Sequence, residues 1–227
     1  MRVSAAGAVI LLLTGIFLGC ASAQDELGED SKVNTNLAFT ITAPLNPTAD
    51  FVNVGGGFVV GAGYNFSKRN SFIGEFMWNR LGGSDAALAP IRDALQTNNI
   101  DGHADVFAVT GNYRYELRGK TTGVYFIAGG GWYRRTTHIS TNVATGSSVT
   151  CTPTWEWWGF ECKTGTVTAD QTLASSTSDV LGANGGIGVT FKVAEPRYRV
   201  YLEARYHYIP TSRVKTELIP VAVGIRF

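Results

Sequence analysis

The sequence has neither a second long apolar run nor an excess of charge of one sign. Apart from Ala8–Leu18, no stretch approaches the roughly 20 consecutive apolar residues that a membrane-spanning helix needs. Lys and Arg number 19 and Asp and Glu 18, so no basic surplus is available to neutralise the phosphates of a nucleic acid. These deficits exclude a bundle of membrane-spanning helices and indicate that nucleic acid is not a partner.

Cysteine and histidine are also scarce, with three residues of each type in the chain. Cys20 adjoins the N-terminal apolar run, and Cys151 and Cys162 remain if that run is removed. An even pair in an exported chain predicts a disulfide between Cys151 and Cys162. The histidines have no metal-ligand spacing along the chain: His103, His138 and His207. The sequence therefore predicts no metal site and no cofactor.

The N-terminus has the layout of a cleavable export signal. A positive charge at Arg2 precedes the apolar run, and Ala21-Ser22-Ala23 follows it as a cleavage site of small residues. We therefore interpret residues 1–23 as a signal peptide and residues 24–32 as a short periplasmic segment. Lipid attachment at Cys20 is the alternative, and the sequence leaves it open.

The dominant pattern in the rest of the chain is alternation of apolar residues with small or polar ones, which is typical of strands that separate two environments. In the first segment Leu37 and Phe39 alternate with Asn36 and Thr40. The eight segments are Val33–Ala43, Gly55–Phe66, Phe72–Arg80, Asp105–Leu117, Gly123–Arg135, Asp179–Val193, Tyr198–Ile209 and Lys215–Phe227. The glycine-rich fifth segment leaves two assignments open, with either Tyr125, Ile127 and Tyr133 or Phe126 and Trp132 facing outward.

The connections between these segments alternate in length. Short turns at Ser67–Asn70, Arg118–Thr122 and Ala194–Pro196 alternate with longer links at Asn46–Val54, Gly82–Gly102, Thr137–Ser178 and Pro210–Val214. Short turns at one end and long loops at the other are typical of transmembrane barrels, and hydrocarbon leaves no partner for an open sheet edge. The sequence therefore predicts an all-β fold, an eight-stranded antiparallel up-and-down transmembrane β-barrel over residues 33–227, with a long external loop at 137–178.

Three segments carry a resemblance to a known family: Glu75–Asn79, Glu203–Tyr206 and Val221–Phe227. With the aromatic-ended strands, they make residues 33–227 resemble the OmpA/OmpX-type small barrels of the outer membrane protein β-barrel domain family. The resemblance implies a monomer in the outer membrane of a Gram-negative-type bacterium, in contact with membrane lipid and lipopolysaccharide. It also implies that the barrel-assembly machinery reads alternate residues at the C-terminus, namely Val223, Ile225 and Phe227.

A set of inward-facing polar side chains is the first candidate site. Its members are Glu75, Arg114, Glu116, Lys192, Arg199, Glu203, Arg205 and His207. The interior of an eight-stranded barrel is only wide enough to be filled by side chains, and an unpaired buried charge is costly there. We interpret the set as a salt-bridge plug that fixes the shape of the barrel, and a gated path for protons or ions is the alternative. The pairing of acids with bases depends on the strand register and stays open.

The long loop has Thr- and Ser-rich runs on both sides, at Thr136–Thr141 and Thr164–Thr168, which suit strands that continue above the bilayer as a hairpin. The tip of this hairpin is the second candidate site. Cys151 and Cys162 enclose four aromatic residues there, namely Trp155, Trp157, Trp158 and Phe160. A disulfide would hold these rings together in a small cluster. The rings then either pack on the hairpin and the lipid interface, where Trp is favoured, or form a recognition tip for an extracellular protein or glycan.

An enzymatic function has only weak support. Some small outer-membrane barrels are lipid A deacylases that carry a His-x-Ser pair near the C-terminus, with a later Glu. Here Ile209 stands where the serine after His207 would be needed. The spacing recurs at His138 and Ser140, with Glu156 further on, but in the middle of the chain. The sequence therefore predicts no catalytic residues.

These observations lead to one functional hypothesis and two alternatives. The hypothesis is a non-enzymatic outer-membrane barrel with a structural or surface-interaction role. The first alternative is a narrow channel for small solutes or ions, motivated by the polar lumen. The second alternative is a lipid-modifying outer-membrane enzyme.

The link Gly82–Gly102 adds one structural expectation, a short helix at Ala89–Leu95 that has Pro90 near its first position.

Overall fold

The structure of the chain is a computed structural model. It describes residues 32–95, 99–119, 121–153, 160–193, 198–210 and 215–227, and within these it describes residues 94–95, 142–153 and 160–174 by their backbone only. The predicted signal peptide and the residues up to position 31 lie outside this part of the chain. So do Trp155, Trp157 and Trp158, and Phe160 is described by its backbone alone.

Eight antiparallel strands form a closed barrel in which every strand pairs with its neighbours in the chain. The strands are β1 (Val33–Pro44), β2 (Val52–Asn65), β3 (Asn70–Gly83), β4 (Ile100–Arg118), β5 (Thr122–Pro153), β6 (Phe160–Lys192), β7 (Arg199–Ile209) and β8 (Thr216–Arg226). The predicted fold class is therefore confirmed, with β4, β5 and β6 longer than the sequence pattern indicates. In the described part of the chain, no helix is both long and apolar enough to cross a membrane.

Alternate residues of each strand face opposite sides of the wall, as the period of two predicts. Apolar side chains cover the outside, where Phe39 and Leu181 are each 75% exposed. In β5, Phe126 and Trp132 face outward and Tyr125 is buried in the lumen, which settles the assignment that the sequence leaves open. The neighbouring strand explains the choice, because the Tyr125 ring occupies the space that a side chain at Gly188 would fill.

The barrel closes where the first strand meets the last. Residues Asn36–Pro44 of β1 pair antiparallel with β8. Beyond them, the Phe227 N–H donates to the carbonyl of Thr35 at 2.9 Å, and the Thr35 N–H donates to the carbonyl of Phe227. The ring of Phe227 points outward and meets the Tyr198 ring edge-on. Phe227 thus extends the seam between β1 and β8 that closes the barrel.

Among the described residues, the loop end of the barrel carries two short helices. A 3₁₀ helix spans Thr48–Asp50, and α1 spans Asp85–Leu95. α1 begins earlier than the predicted Ala89–Leu95 because Ser84 caps it: the Ser84 hydroxyl accepts the N–H of Ala87 at 3.1 Å. Pro90 consequently lies inside the helix and not at its first position.

Strands β5 and β6 continue well past the other six as a two-stranded ribbon. β4 pairs with β5 only as far as Thr141, opposite Ile100, whereas β5 and β6 stay paired up to Pro153 and Phe160. The twelve β5 residues past Thr141 would span roughly 40 Å at about 3.3 Å per residue. The predicted long loop at 137–178 is therefore largely a paired extension of the sheet, and its Thr- and Ser-rich sides form the hairpin that the sequence predicts.

Candidate functional site

The centre of the lumen holds one arginine between two carboxylates. Arg205 donates from Nε to the Glu203 carboxylate at 2.9 Å, and from Nη1 to the carboxylate of Glu75. All three side chains are buried. Three neutral donors complete the shell of the two carboxylates, namely Asn36 and Asn112 on Glu75 and Tyr125 on Glu203. The group joins four other strands to β7, which carries both Glu203 and Arg205.

A second charged group lies nearer the short turns. Glu116 is buried, and the guanidinium groups of Arg226 and Arg118 lie 3.3 Å and 3.4 Å from its Oε2 atom. The Nε atom of Arg114 lies 3.8 Å from the same oxygen, and the Thr190 hydroxyl donates to Oε1 at 3.1 Å. Glu116 thus faces several cations, so this end of the lumen is positively charged.

The remaining predicted lumen residues lie apart from these two groups. His207 is buried towards the loop end, with its Nδ1 atom 2.9 Å from the hydroxyl of Tyr133. Lys192 is half-buried at the last register position of β6, opposite Arg199 of β7. The predicted set therefore divides into a central group around Arg205, a group around Glu116, the opposed residues Lys192 and Arg199, and a histidine that contacts Tyr133.

The central part of the lumen is tightly filled. A void of about 10 Å³ adjoins Arg205, Glu203 and His207, which is room for roughly one water molecule. The uncharged partners, such as Asn112 and Tyr125, are absent from the predicted set. The alternation of β4 places Asn112 on the inner face, so the sequence contains that signal, whereas Tyr125 falls in the ambiguous segment.

A larger cavity of about 340 Å³ lies inside the loop end of the barrel. Val106 and Leu218 of the wall and Leu88 of α1 contribute to its mainly apolar lining. Arg135 also lines it and donates from Nη1 to the Thr216 hydroxyl at 2.9 Å. The volume is at the lower end of the range of small-molecule sites. The sequence gives no sign of this cavity, because strand ends and helices that are distant in the chain form its walls.

Charged pairs also occur on the outer face, just above the apolar surface. Arg80 binds Asp105 through two hydrogen bonds of 2.9 Å, and the Trp78 indole donates to the same carboxylate at 3.2 Å. Further around the barrel, Arg134 binds Asp179. These pairs join residues directly opposite each other on adjacent strands.

Two histidines meet on the outer face beside one of these pairs. His103 of β4 lies directly opposite His138 of β5, with ring centroids 5.2 Å apart. With Asp105 they form a group whose ligand atoms all lie within 4.8 Å of one another. The chain spacing of the histidines does not indicate this group, because the strand register alone brings them together.

The structure describes only part of the His-x-Ser candidate for an enzyme. Ser140 is opposite Asp101, and Glu156 lies outside the described residues.

The chain matches a known protein family over most of its length. The family described as "outer membrane protein beta-barrel domain" matches residues 9–227. A comparison with curated proteins finds no match.

Among solved structures, the chain is similar to a major outer membrane protein from Thermus thermophilus. That likeness has 7% sequence identity and a TM-score of 0.50, and covers 87% of this chain and 99% of the other. At this identity it shows the fold alone. The chain is also similar to Ail, the attachment invasion locus protein of Yersinia pestis (16% identity, 86% and 97% covered, TM-score 0.48). Neisserial surface protein A is also similar, with 13% identity, 87% of this chain and 97% of the other covered, and a TM-score of 0.47.

Proposed function

Because the chain belongs to the outer membrane protein β-barrel domain family, we propose that it is a non-enzymatic anchor that presents the β5–β6 ribbon at the surface of the bacterial outer membrane. In this proposal the barrel contacts membrane lipid and lipopolysaccharide, and the ribbon meets an extracellular protein or glycan.

The ribbon is the observation that carries the proposal. Past Thr141, β5 is paired with β6 and has left the register of β4. Each strand of a two-stranded ribbon has one edge whose backbone N–H and C=O groups have no partner in the sheet, and such edges readily pair with another chain. A barrel that served only to fill the membrane has no need of such an extension.

The strand register supports the predicted disulfide at the tip of the ribbon. Cys151 and Cys162 are directly opposite each other in the β5–β6 pairing. Cα atoms of opposed residues in an antiparallel pair are about 4.5–5.5 Å apart, which lies within the roughly 4.4–6.8 Å that a disulfide requires. An isolated two-stranded ribbon is marginally stable in water, so a bond here would add needed stability.

Alkylation of the native, unreduced protein tests the disulfide. We expect no label on Cys151 or Cys162 before reduction, and two labels after reduction, as read by mass spectrometry of the intact chain. Two labels on the unreduced protein would refute the bond. The Cys151→Ser variant provides the control, because it should expose one reactive thiol at Cys162 without reduction.

The filled lumen favours an anchor over the channel alternative. The Glu75–Arg205–Glu203 group ties together opposite sides of the barrel and leaves little space for a solute. We therefore expect no steady single-channel current from the purified protein in a planar bilayer. Steady conductance steps that vanish in Glu203→Ala or Arg205→Ala would replace the anchor proposal with the channel.

Removing the ribbon tests surface binding. Residues 143–170 would be replaced by a short glycine-containing turn, and bacteria carrying parent or variant would be tested on immobilised extracellular-matrix proteins and glycosaminoglycans. We expect the variant to assemble in the outer membrane, with heat-modifiable gel migration, and to lose binding. Equal binding by parent and variant would contradict the proposal.

The substitutions Trp157→Ala and Trp158→Ala then show whether binding depends on the aromatic residues of the tip or on the edges of the ribbon. An unchanged lipid A profile on expression is expected of a non-enzymatic protein.

A further inference from the structure

We propose that His103, His138 and Asp105 form a binding site for a divalent transition metal, of which Zn²⁺ is the reference ion, on the outer face of the barrel. The ligand atoms of the three side chains all lie within 4.8 Å of one another. The proposal rests on β4 and β5 of the barrel wall and is independent of any role of the ribbon.

The backbone holds the two imidazoles in place. Directly opposed residues on antiparallel strands have Cβ atoms about 4.5–5.5 Å apart and project to the same face. His103 and His138 are such a pair, and their rings lie 5.2 Å apart at an angle of 32°. Rotation about the side-chain bonds can therefore direct one nitrogen of each ring at a shared ion.

Asp105 supplies the third ligand from the same strand as His103. Its Oδ2 atom lies 3.8 Å from His103 Nε2. Ligand atoms around a tetrahedral Zn²⁺ with bonds of about 2.0–2.2 Å are about 3.4 Å apart, so an adjustment of a few tenths of an ångström brings this pair to coordination distance.

The carboxylate is already oriented by its neighbours. Arg80 donates to both of its oxygens, and the Trp78 indole donates to Oδ1. An ionised carboxylate has about four lone-pair positions, so Oδ2 retains capacity to bind a metal while it accepts the Arg80 bond. Hydrogen bonds from outside the ligand set commonly fix metal ligands in this way. Arg80 and Trp78 thus act as positioning residues.

The chemistry of the three donors selects the class of ion. Imidazole nitrogen suits Zn²⁺, Cu²⁺ and Ni²⁺, whereas Mg²⁺ and Ca²⁺ prefer sets made of oxygen atoms. Three protein ligands leave a fourth position for water or an external group. The site lies three register positions from the last β4–β5 pair, Ile100 with Thr141. A bound ion would therefore fasten β5 to β4 close to the point where the ribbon leaves the barrel.

Titration calorimetry of the folded full chain with ZnCl₂ tests the proposal. The protein would be purified in detergent with a tag that contains no histidine, and with Mg²⁺ present to occupy nonspecific oxygen sites. We expect one equivalent of Zn²⁺ to bind the parent. His103→Ala and His138→Ala should each raise the Kd by at least about tenfold, since even loss of a supporting residue outside the ligand set costs that much.

A matched control and a spectroscopic readout make the test decisive. Asp179→Asn alters an outer-face carboxylate that is also bound to an arginine but is not in the histidine group, so its Kd should equal that of the parent. With Cu²⁺ in place of Zn²⁺, electron paramagnetic resonance should detect two coordinated nitrogens in the parent and one in each histidine variant. Equal Zn²⁺ affinity of the parent and the double histidine variant, with both folded by gel migration, would overturn the proposal. So would a copper spectrum without nitrogen coupling.

Discussion

The inner and outer faces of the barrel wall both carry ion pairs between arginine and a carboxylate, in different surroundings. Inside, Arg205 is buried between Glu75 and Glu203. Outside, Arg134 binds Asp179, and the two side chains remain 47% and 42% exposed. Water screens the outer pair and solvates either partner if the other is lost, whereas the inner group has only protein to neutralise it. Similar geometry therefore carries very different energetic weight.

The two faces also differ in how far apart in the chain their partners lie. The outer pair links residues directly opposite on neighbouring strands. Inside, Arg205 reaches across to Glu75, 130 residues away, and Asn36 also reaches Tyr201, 165 residues away. The lumen contacts thus connect strands that do not adjoin, so they hold the cross-section of the barrel, while the outer pairs reinforce single strand pairings.

Removing the central arginine should have the largest effect. Arg205→Ala leaves Glu75 and Glu203 buried without their cation, and we expect a loss of about 3–5 kcal/mol in the free energy of unfolding. Urea unfolding in detergent micelles measures it. A neutral replacement of the whole group, Glu75→Gln with Glu203→Gln and Arg205→Met, should recover most of the loss. Parent-like unfolding of Arg205→Ala would mean that the charges are hydrated and that the two faces do not differ.

An added methyl group should destabilise the barrel where it points into the lumen, and much less where it points outward from the same strand. Gly188→Ala points into the lumen, where its Cβ would collide with the Tyr125 ring and hydroxyl. Tyr125 is held by Glu203, so we expect destabilisation of about 1–3 kcal/mol from overpacking. Gly185→Ala on the outer face is the control, because the nearest atom to its Cβ is the Ile127 carbonyl oxygen at 3.9 Å. Equal urea midpoints for the two variants would contradict a packed lumen at this level.

Loss of the outer ion pair should have the smallest effect. Arg134→Ala removes the bonds to Asp179 and the contact of the guanidinium with the Trp132 ring. Exposed pairs contribute little to stability because water screens the attraction between the charges, so the unfolding midpoint should move little, and less still at high salt. A shift of the unfolding midpoint as large as that of Arg205→Ala would show that the outer face is as well shielded from solvent as the lumen.

The sequence alone determined the architecture of this protein. Alternation of residues such as Leu37 and Phe39 with Asn36 and Thr40 is a local property of each strand, and it fixes which side of the wall a residue faces. That pattern also gives the number of strands and the alternation of short and long connections. The barrel must close because hydrocarbon offers no hydrogen-bond partners to an open sheet edge. For the same reason, the inward placement of Glu75 and Arg205 was predictable.

Only the tertiary structure decided which of these residues meet. Register and curvature are collective properties of the closed sheet, so no local pattern could pair Arg205 with Glu75, or His103 with His138. The inward position of Tyr125 likewise depended on the space left by Gly188 on the next strand. The cavity inside the loop end of the barrel forms only when α1 and distant strands come together. A strand's own sequence specifies its two faces, whereas the contacts across a lumen depend on how all eight strands are staggered when the barrel closes.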